Sequence, residues 1–345
     1  DVLGSRGLGD VYKRQTCNSI YYDITNDKII DPLNGIADIE KKIIRSYNPQ
    51  RTFSSDGLRI LRMIRLAVET GFKIDGETAK AAKANAPLLR DISAERRRQE
   101  LDRILLADTK YGVKWAHYRG LRLIQQLGLW KYLIPQLEDG AGLAQNPVYH
   151  KYDVLEHINQ TVKFAAPDVR LAALMHDVGK PYCVAKFGNM HGHEVISAHI
   201  VRYDLGEYGL KYPNDVIEEV EWLCLNHMYD IARNTKEAKL KIFVAANFDR
   251  IDKLVELMEA DNLARGMDDE TREVRLKAVK QKLIEEGAPI TLSDLKLDGS
   301  VLIREGIQPV KIGGVLNELW RACVIDPRLN NEAWLLKQVS KYKED

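Results

Sequence analysis

The dipeptide His176-Asp177 sits at the end of the apolar run 171–175 and in front of Gly179-Lys180-Pro181, so an imidazole and a carboxylate adjoin where a helix should stop. Alone, such a pair is a common accident of helix ends. Further candidates stand elsewhere in the chain. His157 follows the turn-rich stretch 146–153, His193 follows His191-Gly192, His227 closes the segment 222–226, and Asp261 lies between Ala260 and Asn262. Neutral imidazoles and carboxylates make a donor set suited to Mn, Fe, Co, Ni or Mg, and one helix offers only two or three of them on a face, so several helices must converge. An ion held there would act as a Lewis acid and lower the pKa of water. Lys180 suits a phosphate-facing cation or, equally, an ordinary lysine beside a helix terminus. Taken singly, His117, His150 and His199 read as structural or surface residues.

The order His, His-Asp, His, His, Asp resembles the signature of the HD phosphohydrolase superfamily. That resemblance implies Asp177 as a ligand shared by two metal positions. His157, His176 and Asp261 would complete the first, and His193 and His227 would reach the second. It also implies His176, Asp177 and Lys180 as catalytic residues.

A second group of chemistry-bearing residues lies nearer the start. In the segment 51–68, Ile60, Leu61, Ile64, Ala67 and Val68 fall on one arc of a helical wheel, with Asp56, Arg59 and Arg62 on the other. A carboxylate and a guanidinium three residues apart can offer paired acceptors and donors to a nucleobase edge, or form a surface ion pair worth a few tenths of a kcal/mol. The window 41–105 holds fifteen Lys/Arg against eight Asp/Glu, an excess that suits a polyanion or a solvated helical face.

Residues 16–19 followed by 31–39, then Arg51-Thr52-Phe53-Ser54-Ser55-Asp56-Gly57-Leu58-Arg59 through Arg62 and Arg65, resemble the bacterial tRNA nucleotidyltransferase and poly(A) polymerase family. So do Ile92-Ser93-Ala94-Glu95-Arg96 with Glu100-Leu101, and the tail segments Asp294–Gly299, Ile312-Gly313 and Leu316. The resemblance implies that Asp56 and Arg59 select the incoming C or A. It implies that Asn18, Arg62 and Arg65 bind nucleotide, that Arg96, Arg97 and Arg98 bind RNA, and that the partners are a tRNA 3′ end with CTP and ATP. Ser55 stands where the family has Glu. Poly(A) addition remains an alternative to CCA addition. Transfer would need Mg on an Asp-x-Asp pair, and no Asp-x-Asp occurs in residues 1–50, so the expectation is a chain lacking the catalytic head and its transferase activity. Residues 1–15 resemble a translated sequencing adapter.

The elements that must position these groups are mostly helical. Tyr21, Ile24, Ile29 and Ile30 flank Thr25-Asn26-Asp27 as a short hairpin. Helices are expected at 77–85, 93–107, 109–127, 153–166, 169–177, 194–209, 213–227, 235–247, 250–264, 270–286, 312–324 and 331–340, and loops at 135–148 and 287–290 mark boundaries. The expected fold is mainly α, with a β-hairpin remnant of a nucleotidyltransferase head at 16–50, a helical neck at 51–140, a helical HD domain at 141–266 and a helical C-terminal body at 267–345. The 345-residue chain is nearly neutral at +1, so net charge selects no partner. Four dispersed cysteines form no Cys-x-x-Cys pair and suit a reducing cytoplasm, and no apolar run reaches the ~18 residues of a membrane helix. No protein partner is legible.

Overall fold

The computed structural model describes residues 15–267 and 274–342, so the leader read above at 1–15 lies outside the described residues except for Gln15. The described chain is mainly α. It divides into two compact units, one running to His227 and taking in the stretch that starts at Ala260, the other comprising Met228–Glu259 and the C-terminal stretch.

The first unit opens with strands β1 (Tyr21–Asp23) and β2 (Lys28–Ile30), antiparallel with Tyr22 opposite Ile29. The turn between them places Asp27 at a φ of 49°, a conformation a short polar side chain tolerates. Helix α1 (Gly35–Glu40) and strand β3 (Ile43–Ile44) follow, then α2 (Pro49–Ser55), α3 (Leu58–Thr70) and β4 (Lys73–Ile74). β3 and β4 pair in parallel, a link of two residues per strand that is too short to leave a periodic trace in sequence.

The helices that follow are α4 (Gly76–Ala84), α5 (Ala94–Leu105), α6 (Ala107–Tyr111), α7 (Ala116–Gln126) and α8 (Trp130–Leu133). α3 is their centre. Ile60, Leu61, Ile64, Ala67 and Val68 are all buried, as the wheel requires, and Met63 joins them because α3 packs against α5, α6 and α7 on more than one side. At the α5–α7 crossing Gly120 lets the backbones close up: a Cβ there would stand 2.4 Å from Ile104 Cγ2. The helix expected at 109–127 is two helices, because Gly112 and Trp115 turn the backbone left-handed at φ of 67° and 59°.

Helices α9 (Val154–Phe164), α10 (Arg170–Met175), α11 (Lys180–Phe187), α12 (His193–Asp204) and α13 (Asn214–Asn226) complete this unit, with the end of α15 (Ile251–Ala264). The Gly-Lys-Pro read as a stop is also a start: Pro181 stands in the first turn of α11, where its missing N–H costs nothing. Side-chain caps fix several starts, among them Asp75, Ser93 and Asp153, each accepting a backbone N–H of the first turn.

Asp204, near the end of α12, is 3% exposed and one of its carboxylate oxygens has no hydrogen-bond partner. Burial pushes its pKa up to about 7, against a hydrogen bond from Gln136 that pulls it down. The folded protein therefore binds this proton more tightly than the unfolded chain. Its stabilising effect is complete below the unfolded value of 3.8 and is lost as pH rises through about 7. Asp204→Asn should raise stability at pH 8 by a few kcal/mol, each tenfold in proton affinity being worth about 1.4 kcal/mol, and change little at pH 4. Urea titrations of both proteins at the two pH values would show it, and equal gains at both would refute the assignment.

In the second unit α14 (Glu237–Ala246), the start of α15, α16 (Arg275–Glu285), α17 (Gly299–Arg304), α18 (Pro309–Ile325) and α19 (Glu332–Val339) bury Leu240, Val244, Leu283, Leu319, Cys323 and Leu335. Lys241 is buried there but satisfied, donating to Glu286 and to the Ile325 carbonyl at the end of α18.

Candidate metal centre and the basic neck

His157 lies in the first turns of α9, His176 and Asp177 in the turn between α10 and α11, His193 at the first position of α12, His227 just past α13, and Asp261 on α15. All six lie in the first unit and close round Asp177. Asp177 Oδ2 is 3.3 Å from His157 Nε2 and 3.2 Å from His176 Nε2; Oδ1 is 3.0 Å from His193 Nε2 and 3.7 Å from His227 Nε2. Asp261 Oδ1 stands 2.9 Å from His157 Nε2 and 3.8 Å from His176 Nε2.

The tautomers are set by the helix ends. The Nδ1 of His176, His193 and His227 each meets the carbonyl three residues back, of Ala173, Met190 and Cys224, at 2.8, 2.8 and 2.7 Å. An Nδ1–H donating there leaves each Nε2 as a bare lone pair aimed inward. His193 Nε2 and His227 Nε2 are then two acceptors only 3.3 Å apart. His157 Nε2, His176 Nε2 and Asp177 Oδ1 are buried with no hydrogen bond of proper geometry. Buried acceptors facing one another are stabilised by a shared proton or a shared metal cation. Two donor groups fit one: His157, His176 and Asp177, and Asp177, His193 and His227.

Without an ion, the acidic and basic groups of the cluster hold one another in their charged forms. Burial would raise the Asp177 pKa, but His176, Lys180 and His157 hold it well below the carboxylate range. Burial would lower that of His157, yet Asp177 and Asp261 lift it to about 9. Lys180, itself buried, donates to Asp177 Oδ2 and to Gln145 Oε1 at 2.8 Å, so its ammonium is committed to the site rather than to a helix end.

Sequence reading passed over four contributors. Gly179 has an ordinary φ, but a Cβ there would lie 2.6 Å from His193 O and 2.7 Å from Ser197 N, so only glycine lets α12 deliver His193 to Asp177. The Ser197 hydroxyl accepts the Gly179 N–H at 2.9 Å. Gln145 holds Lys180. His150 makes an edge contact with His157, ring centroids 4.7 Å apart, and burial, then His157 and Lys180, push its pKa down to about 3.

In the neck, Asp56 lies between α2 and α3 with extended backbone. Its carboxylate accepts the Leu58 N–H at 3.1 Å and lies 3.5 Å from Arg96. Arg59 donates to Thr52 O and, at 3.0 Å, to the Ser55 hydroxyl, the residue at the family's Glu position. Arg62 and Arg65 both reach the buried Glu100, at 3.2 and 2.8 Å, and Arg65 also reaches Glu69. Arg97 donates to the Tyr132 carbonyl and Arg98 to that of Lys211. Asn18 donates to the Gln15 side chain.

The fold and site define a helical HD-domain protein. Residues 152–273 match the family described as "HD domain", 71–140 that described as "Probable RNA and SrmB- binding site of polymerase A", and 6–45 the "Poly A polymerase head domain". The chain belongs to the bacterial tRNA nucleotidyltransferase and poly(A) polymerase family. It is 32% identical over 255 residues to a CC-adding tRNA nucleotidyltransferase of Thermus thermophilus and 28% identical over 261 residues to an A-adding one of Deinococcus radiodurans. Each match covers 69% of this chain and 56% of the relative, so the chain spans little more than half their length. A Bacillus stearothermophilus CCA-adding enzyme in complex with CTP shares its fold, with a TM-score of 0.62 at 23% identity, covering 97% of this chain and 75% of that one. Among the described residues no helix is long and apolar enough to cross a membrane.

Proposed function

We propose that this chain is the RNA-gripping and base-selecting part of a cytoplasmic tRNA nucleotidyltransferase that completes tRNA 3′ ends from CTP and ATP, with Mg serving transfer. The observation that carries this is the match, in chain order, to a poly(A) polymerase head, its RNA-binding segment and an HD domain. In this reading residues 51–140 form the neck and 141–266 the HD domain. Asp56 and Arg59 select the base, Asn18, Arg62 and Arg65 meet the nucleotide, and Arg96, Arg97 and Arg98 meet RNA. Glu100 and Glu69 hold Arg62 and Arg65 in fixed orientation, which reduces the ordering cost of binding a phosphate. Affinity for a tRNA transcript lacking its 3′-terminal CCA should fall steeply between 50 and 200 mM salt, as about 0.9 counterion is released per phosphate contact. Arg96→Gln, Arg97→Gln and Arg98→Gln together should flatten that slope in a filter-binding assay. An affinity that ignores salt would sink the reading.

A second activity is favoured by the buried acceptors around Asp177. There His157, His176, Asp177 and Asp261, with His193 and His227, would hold Mn, Co, Ni or Mg. Such an ion supplies Lewis acidity toward a phosphoryl oxygen and a lowered pKa for water. The chain's own groups hold the lone pairs inward, keep Asp177 ionised and aim the Lys180 ammonium at the site. The substrates proposed are 2′,3′-cyclic or terminal phosphates, hydrolysed with His176, Asp177 and Lys180 as the catalytic set.

A further inference from the structure

We propose that Trp115 and Phe164, with the ammonium groups of Lys114 and Lys163, form a stacking platform for an unpaired base of the bound RNA, in addition to the contacts of Arg96, Arg97 and Arg98. The proposal rests on the RNA-binding reading above and assigns it a second point of contact. Trp115 and Phe164 keep 41% and 39% of their surface exposed. Lys163 Nζ stands 4.4 Å from the Trp115 ring centroid and 4.8 Å from that of Phe164; Lys114 Nζ stands 4.3 Å from the Trp115 centroid.

Apolar ring faces and cations are thus interleaved within a few ångströms. Lys163 already donates to Gln160 Oε1 at 3.2 Å, but an apolar protein surface laid on this patch would bury the Lys114 ammonium with no oxygen acceptor supplied, which is costly. A nucleic-acid strand satisfies both components, a base on the ring and a phosphate on the lysine. The ammonium rides on a flexible four-carbon stem, so it can leave the ring for a phosphate as a base takes its place.

Two further features set this patch apart from scattered exposed aromatics. Trp115 occupies the left-handed region at a φ of 59°, where a glycine or asparagine would serve a mere turn and a bulky residue is strained. Beneath it runs a polar chain that nothing in the proposed catalysis uses. Arg170, buried, grips Asp108 in a fork at 2.6 and 2.8 Å and donates to the Leu105 and Ala165 carbonyls at 2.7 and 3.2 Å, while His117 Nε2 meets the Lys163 carbonyl at 3.2 Å. This chain locks α6, the start of α7 and the end of α9 together, so the two rings are held in register before any ligand arrives. Rigid aromatic surface is what makes stacking productive at low entropic cost.

The test uses the full chain and a tRNA transcript lacking its 3′-terminal CCA, with dissociation constants from fluorescence anisotropy at two salt concentrations. Trp115→Ala should weaken binding about 5- to 100-fold, the range for losing one stacked base, with the salt slope unchanged. Trp115→Phe should restore most of the affinity, a rescue that a purely structural role for the indole does not predict. Lys163→Gln should lower the salt slope by about 0.7, one phosphate contact on an unpaired strand. Circular dichroism identifies any variant that fails to fold, in which case Trp115→Phe and Lys163→Gln decide. If the parent binds and the arginine variants weaken it while Trp115→Ala and Lys163→Gln stay within twofold, the platform is overturned and the RNA-binding reading stands. If the parent binds no tRNA, both fall. Loss of binding to a protein partner alone, with RNA affinity intact, also overturns the proposal.

Discussion

Asp177→Asn is expected to reduce metal-dependent hydrolysis of a 2′,3′-cyclic nucleotide to background and to remove the protein's response to added Mn, Co or Ni. The substitution keeps shape while removing the charge toward which four imidazoles and Lys180 are arranged. In the parent, a cation at a hundred times its dissociation constant should stabilise the fold by about 2.7 kcal/mol, read as a rise in melting temperature. In the variant that rise should disappear while the helical circular dichroism signal remains. A variant that still hydrolyses the substrate, or still melts higher with metal, would remove Asp177 from the proposed centre.

The second large effect is expected at a residue with no chemistry of its own. Gly179→Ala puts a methyl 2.6 Å from His193 O, 2.7 Å from Ser197 N and 2.9 Å from Ile196 Cβ, two of these being backbone that no rotamer change can move aside. Helix α12 must shift, and His193 moves away from Asp177 with it. Overpacking of this kind costs about 1–3 kcal/mol, and a displaced ligand weakens metal binding by about 10- to 100-fold. Urea denaturation and isothermal titration with Mn measure the two separately. Unchanged metal affinity in a destabilised but folded protein would show that the glycine serves packing alone.

These two positions show what sequence reading reaches. Asp177 was legible because its type and its place in an ordered set of histidines point to one chemistry. Those six residues come from α9, the α10–α11 turn, α12, α13 and α15, and only their order along the chain signalled that they meet. Gly179 was not legible, because its role is a distance to a helix that sequence does not place beside it. Ile60, Leu61, Ile64, Ala67 and Val68 declared α3 through their period, whereas the α6–α7 break turns on left-handed backbone at Gly112 and Trp115, which a period does not report. The β3–β4 pair is held by backbone groups from positions thirty residues apart, which no local pattern encodes. His150 reads as ordinary alone and acquires meaning only from the ring of His157 beside it.

The path of the chain through the two units bears on how the protein is made. The first unit is left directly after His227 and regained at Ala260, one residue before Asp261. A nascent chain emerging from the ribosome therefore carries five of the six inward-facing groups long before the sixth. Until the excursion from Met228 to Glu259 has been synthesised, the pocket around Asp177 lacks its second carboxylate and the negative charge that helps offset its basic groups. An insertion or deletion within that excursion would bear on the pocket through the return of Asp261 to it, without touching any residue that lines it.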